Sequence, residues 1–143
     1  MPVERGPKVD TCRAHHAEIR RLLDEVSLGE PLSEASIVRV LQRLEHLVTT
    51  HLELEERVLY PALESSPSAL LQRKAVRYRT HMFPIGERFI EVCRTWCKPG
   101  AISAAPSRFV DEWRTASESL RMRMESEDED LYALAEMLVK PGR

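Results

Sequence analysis

The sequence predicts an all-α protein, an antiparallel up-down bundle of four helices. Apolar residues recur at intervals of three and four along four long segments. Strand signals are nearly absent. Pro- and Gly-containing breaks separate the segments by short links, so neighbouring helices should run antiparallel. A chain of 143 residues has the size of one domain with one core. Hydrophobic residues at 43% and charged residues at 31% are ordinary for a soluble globular chain.

The first helix is expected from Asp10 to Val26, with Asp10 or Thr11 as its cap and Gly29-Glu30-Pro31 as its stop. Its apolar stripe is Ile19, Leu22, Leu23 and Val26, with His15 and His16 near that side. The second runs from Ser33, with Ser36 as another possible cap, to about Leu63. Its stripe is Ile37, Val40, Leu41, Leu44, Leu47, Val48, Val58, Leu59 and Ala62. His51 and Glu55 lie in the middle of it, while His46 points to solvent. The third runs from about Ser68 to Cys97 and stops at Lys98-Pro99-Gly100. Its stripe is Leu71, Ala75, Tyr78, Met82, Ile85, Phe89, Val92 and Trp96, with His81 at the edge and Pro84 interrupting the segment. The fourth runs from about Ser107 to Val139 and stops at Pro141-Gly142. Its stripe is Phe109, Trp113, Ala116, Leu120, Met124, Leu131, Leu134 and Leu138, with Glu127 at the centre and Asp128 about a quarter-turn away. The bundle thus spans residues 10–139, between tails at 1–9 and 140–143.

A carboxylate in a bundle core is costly unless paired, protonated or metal-bound. Here two are placed there, Glu55 and Glu127, with His51 one turn before the first. His and Glu at i, i+4 share a face and can reach one ion. A single inward His is usually a hydrogen-bonded core residue, and a single inward Glu usually reaches an Arg or the bundle end. Several such positions on different helices point instead to a metal site in the bundle core. Mixed nitrogen and oxygen ligands suit iron, manganese or zinc.

Local patterns resemble the hemerythrin, or HHE cation-binding, family. The first helix carries His16-Ala17-Glu18-Ile19-Arg20-Arg21-Leu22-Leu23. The second carries His51-Leu52-Glu53-Leu54-Glu55-Glu56-Arg57-Val58-Leu59-Tyr60-Pro61, the most specific match. The fourth echoes it weakly, with Arg123 followed by Glu127-Asp128 and then Leu131-Tyr132-Ala133. The resemblance spans about residues 10–138. It implies a hemerythrin-like bundle that holds iron, two ions or else one, through His16, His51, Glu55, His81 and Glu127, with both glutamates bridging. His15 competes with His16 on the helical wheel, and Asp128 is the reserve for Glu127. Arg123 stands where the family usually has a His, and Ile85 where oxygen carriers have a second third-helix His. Arg123 is therefore expected either to pair with Glu55 or Glu127 or to leave a coordination position open. Tyr78 is a candidate ligand or hydrogen-bond donor, or a core aromatic with its hydroxyl satisfied.

The expected function is binding of, or reaction with, dioxygen, peroxide or nitric oxide at non-haem iron. The alternatives are a redox or iron sensor, and a metal-free interaction bundle with Arg123 neutralising the core carboxylates. Whether the protein is an enzyme is left open. A net charge of −2 gives no basic field for nucleic acid, and no apolar run reaches a membrane span. Cys12, Cys93 and Cys97 are too few for a disulfide framework, and Met1 to Lys8 lacks an apolar signal core, so a reducing cytoplasm is expected. The cysteines are expected to pack as small hydrophobes. Arg20, Arg21, Arg121 and most of Glu125 to Asp130 read as surface.

Overall fold

The computed structural model describes residues 8–27 and 32–139. These residues form helices and short links, with no strand among them. Helix α1 spans Val9–Ser27. Helix α2, Glu34–Leu54, continues through a wide turn, Glu55–Leu59, into α3, Tyr60–Glu64. Helix α4 spans Ala69–Trp96. After the short α5, Ala101–Ala104, helix α6 covers Pro106–Ser126. A second wide turn, Glu127–Tyr132, leads into α7, Ala133–Val139. There are thus four rods, as the periodicity predicts. Helix α1 packs on α2, α2 on α4, α4 on α6, and α6 returns to α1. None of these helices is long and apolar enough to cross a membrane.

Local chemistry sets the boundaries. The Ser33 hydroxyl accepts from the Ser36 amide at 3.1 Å, and the Ser68 hydroxyl accepts from the Leu71 amide at 3.1 Å. Each satisfies a donor that the first turn leaves free. Helix α1 starts one residue before the expected Asp10, and Val9 is buried, so the chain is already packed there. Pro106 opens α6, where its missing amide costs nothing. Gly100, at φ 76°, takes the left-handed conformation that turns the chain into α5. Pro84 sits inside α4, which runs on through it. The stop at residues 29–31 and the one at 141–142 lie outside the described residues.

The core is divided in two. One cluster includes Ile19, Leu41, Leu44, Phe89, Trp113 and Leu120. The other includes Leu59, Leu63, Leu71, Ala75, Leu131 and Ala135. Between them lie His16, His51, Glu55 and Glu127, each at most 1% exposed.

The two wide turns change the register of the helices after them. In each, a backbone amide reaches back five residues, as from Tyr60 to the Glu55 carbonyl. An ordinary helix would carry the buried face from Glu55 to Val58, Leu59 and Ala62. The extra residue moves it to Leu59, Tyr60 and Leu63 instead. Val58 is 39% exposed and Leu63 1%. The fourth rod repeats the shift. Past Glu127 the buried residues are Leu131, Tyr132 and Ala135, whereas Leu138, expected inside, is 46% exposed. Two side chains from other helices brace this second turn. Arg13 donates to the Asp128 carbonyl at 3.1 Å, and the Tyr78 hydroxyl donates to the Ser126 carbonyl at 3.2 Å.

The shifted register makes a direct prediction for chemical denaturation. Leu63→Ala should cost about 2–5 kcal/mol, the range for truncating a fully buried leucine. Val58→Ala should change stability by no more than about 0.5 kcal/mol, as at other surface positions. The opposite order would mean that the ordinary helical register continues past Glu55.

Candidate metal centre

Four rods could place side chains anywhere along their shared axis, yet three of them converge at one level. Helix α1 supplies His16, α2 supplies His51, and the two wide turns supply Glu55 and Glu127 as their first residues. One ligand atom from each of the four lies within 4.8 Å of the others. The Nε2 atoms of His16 and His51 are 3.1 Å apart. His16 Nε2 is 3.2 Å from Glu127 Oε1, and His51 Nε2 is 3.2 Å from Glu55 Oε2.

The far side of each imidazole is held. His16 Nδ1 is 2.9 Å from Asp128 Oδ1, and Arg20 donates to Asp128 Oδ2 at 2.7 Å. His51 Nδ1 meets His15 Nδ1 at 3.1 Å. Such outer partners fix the ring orientation and leave Nε2 for the centre. The carboxylates are held by a crossed pair of phenols. Tyr60, just past the first wide turn, donates to Glu127 at 2.7 Å. Tyr132, from the second, donates to Glu55 at 2.6 Å. Burial raises both phenols far above their ordinary range, with the two carboxylates adding to it, so they remain donors. Glu55 Oε1 is buried and has no hydrogen-bond partner.

Electrostatics follow from burial. Desolvation pushes Glu55 up to about 7 and also raises Glu127, with the Glu55 charge adding to the second shift. Desolvation alone would depress His16. Its hydrogen bonds to Asp128 and Glu127 overcome that and lift it to about 9. His51 falls to about 4 because it is buried and beside the His16 charge. Without metal, His16 is therefore the cation of the layer, held between Glu127 and Asp128, beside a neutral His51.

The structure brings together His16, His51, Glu55 and Glu127, four of the five expected ligands. His81 is not among them. It lies between the buried Tyr78 and Met82 in sequence, but its own face of α4 is solvent-exposed. His16 occupies the centre and His15 stands behind His51. Likewise Glu127 points inward and Asp128 stands behind His16. Arg123 makes no ion pair with Glu55 or Glu127 among the described residues. Its guanidinium lies 4.9 Å from the Tyr78 ring centroid, so neutralisation by Arg123 gives way to neutralisation by His16. Tyr78 bonds Ser126 and Asp130 rather than the centre. Cys12 is fully buried, and desolvation raises its thiol to about 12, an unreactive state. Cys93 and Cys97 are free thiols, also raised by burial.

Sequence reasoning missed Tyr60, Tyr132 and Arg20. A signal was present: in both halves a tyrosine follows the inward glutamate by five residues, as Glu55 to Tyr60 and Glu127 to Tyr132. In a regular helix that spacing points the two apart, and only the wide turn brings them to one face.

A helical bundle with a buried His/carboxylate layer defines a class of metal-binding proteins. The family model for the hemerythrin HHE cation binding domain matches residues 8–135. The chain belongs to the hemerythrin family. No curated protein and no solved structure matches it.

The charge arrangement and the outer partners each lead to a measurable outcome. In the metal-free protein, His16 and Glu55 have raised values, so their contributions to stability fade as pH rises, through about 9 and about 7 respectively. His51 has a depressed value, so its contribution fades as pH falls toward about 4. Melting temperature measured against pH should therefore peak in weakly acidic solution and decline steadily to pH 9. A rise across the alkaline range would contradict this charge arrangement. Second, Asp128→Asn should weaken metal affinity about 10–100-fold, as loss of an outer partner does, with the helical signal in circular dichroism unchanged.

Proposed function

We propose that the protein holds non-haem iron at His16, His51, Glu55 and Glu127, and that this iron binds or reacts with dioxygen, peroxide or nitric oxide. The observation that carries the reading is the convergence of four buried donors within 4.8 Å of one another, one of them from Glu55, whose Oε1 has no partner of its own. An orphaned carboxylate oxygen in a bundle core is costly, and a cation there removes the cost. Two imidazole nitrogens and two carboxylates suit iron. The hemerythrin family match supports a cation at this place. When bound, iron supplies a Lewis-acidic, redox-active centre for a small oxygen or nitrogen ligand.

The chain's own groups define how such a centre is held. Asp128 and His15 orient the two imidazoles. Tyr60 and Tyr132 each donate one hydrogen bond to a carboxylate, which leaves further oxygen lone pairs free. His16 would give up its Nε2 proton to hold a cation, with Asp128 still accepting from Nδ1–H. With His81 turned outward, Ile85 apolar and Arg123 on Tyr78, the histidine ligands are enough for one ion. A second ion would rest on carboxylate oxygens alone.

Iron per chain, measured with the visible spectrum after anaerobic ferrous loading and exposure to air, tests the reading. We expect iron to be retained at one ion per chain, and to be lost in Glu55→Ala and Glu127→Ala but kept in His81→Ala. Two ions per chain would restore the bridged di-iron arrangement. No retained iron would remove the function altogether.

A further inference from the structure

We propose that Leu52 and Phe83 form a gate through which small neutral molecules, rather than anions, reach the Glu55 side of the centre. The inference rests on the iron-binding reading above and names the substrate class that the site admits.

An open groove of about 410 Å³ runs between α2 and α4. Behind it, a narrow crevice reaches inward between Leu52, Met82, Tyr60 and Glu55. The crevice has no room for a water molecule. Groove and crevice share Leu52, Glu56 and Phe83 as common walls. One face of this wall meets solvent, and the other meets the residue whose Oε1 lacks a partner. Phe83 is 39% exposed, with solvent on its outer side, whereas Leu52 is 6% exposed and separates the groove from the crevice.

Leu52 is held by a close approach. A Cβ added to Gly86 would lie 2.6 Å from Leu52 Cδ1 and 3.0 Å from Cδ2. Leu52 therefore packs on bare backbone of α4, where only glycine leaves room for it. The helical repeat is interrupted near it on both rods. On α4, Pro84 donates no amide hydrogen bond to the preceding turn. On the facing rod, the wide turn Glu55–Leu59 begins three residues after Leu52. A gate built from two apolar side chains, one on each rod, opens by side-chain rotation.

Selectivity comes from charge and polarity. Glu53, Glu56, Glu87 and Glu91 line the groove against Arg57 and Arg94; with Arg94 paired to Glu45, Glu56 to Arg79 and Glu91 to Arg88, Glu53 and Glu87 remain against Arg57. The mouth is therefore net acidic and disfavours anions. The throat of Leu52, Met82 and Phe83 offers an ion no hydrogen bond, which makes desolvation costly for any charged ligand. Uncharged diatomics meet neither obstacle.

Two measurements test the gate. In crystals of metal-free Leu52→Ala under xenon pressure, we expect a xenon atom beside Met82, in space continuous with the groove. No xenon at that place would overturn the proposal. In ferrous-loaded protein of unchanged iron content, Leu52→Ala and the milder surface change Phe83→Ala should each speed nitric oxide association. For Leu52→Ala the gain should be about tenfold, equivalent to about 1.4 kcal/mol off the barrier. Azide, an anion, should gain far less. Unchanged nitric oxide rates in both variants, or equal gains for azide, would overturn the gate. If the protein takes up no iron, the functional reading fails, while the xenon experiment still decides whether the passage exists.

Discussion

Two glutamates buried away from solvent are the constraint on which the rest of this structure depends. Glu55 and Glu127 are buried at the level where the rods converge, and a bare carboxylate there is strongly disfavoured. The surrounding groups answer that cost one by one. His16 brings a positive charge, the two phenols bring donors, and Asp128 with Arg20 stabilises the charge on His16 from behind. The compensation leaves one oxygen of Glu55 unmatched. The polar layer also sets the layout of the apolar residues, because it splits the core into two separate clusters.

The wide turns link local backbone to this chemistry. Each begins at one of the two glutamates and ends at or just before the tyrosine of the same half. Without the extra residue, Tyr60 and Tyr132 would lie off the buried face and the carboxylates would lose their donors. Backbone irregularity at a functional layer is thus the means by which two side chains five positions apart share one face. The bracing by Arg13 and Tyr78 shows the second turn supported from neighbouring helices.

The bundle was legible in the sequence because burial over most of each rod follows the ordinary helical repeat. Ile19, Leu41, Leu44, Phe89 and Leu120 all fall where periodicity puts them. Legibility fails just past Glu55 and Glu127, where the repeat lengthens, and so Val58, Ala62 and Leu138 were placed on the wrong face. Of the centre, His51, Glu55 and Glu127 followed from spacing. Choosing His16 over His15 needed the family resemblance, since the wheel separates adjacent residues poorly near a helix start. His81 was misplaced for a related reason: a residue at the edge of a stripe faces in or out according to a small rotation of its helix. Pairings such as Asp128 with His16, or Arg123 with Tyr78, join residues far apart in sequence, and no local pattern encodes them.

The crossed phenols carry a consequence for how the molecule assembles. Tyr60 reaches a glutamate 67 positions away and Tyr132 one 77 positions away, so neither helical hairpin can complete its own polar layer. The short phenol bond to each carboxylate comes from the other hairpin, and the contact of Tyr132 with Glu127 inside one half is the long one at 3.4 Å. Docking of the halves is then the step at which both carboxylates gain their donors together, and a half-chain collapsed on its own keeps an unmatched charge in its interior. Mutual incompleteness of this kind favours a single all-or-none transition over a stable half-folded species. The layer that equips the protein for a cation thereby also fastens the N-terminal hairpin to the C-terminal one.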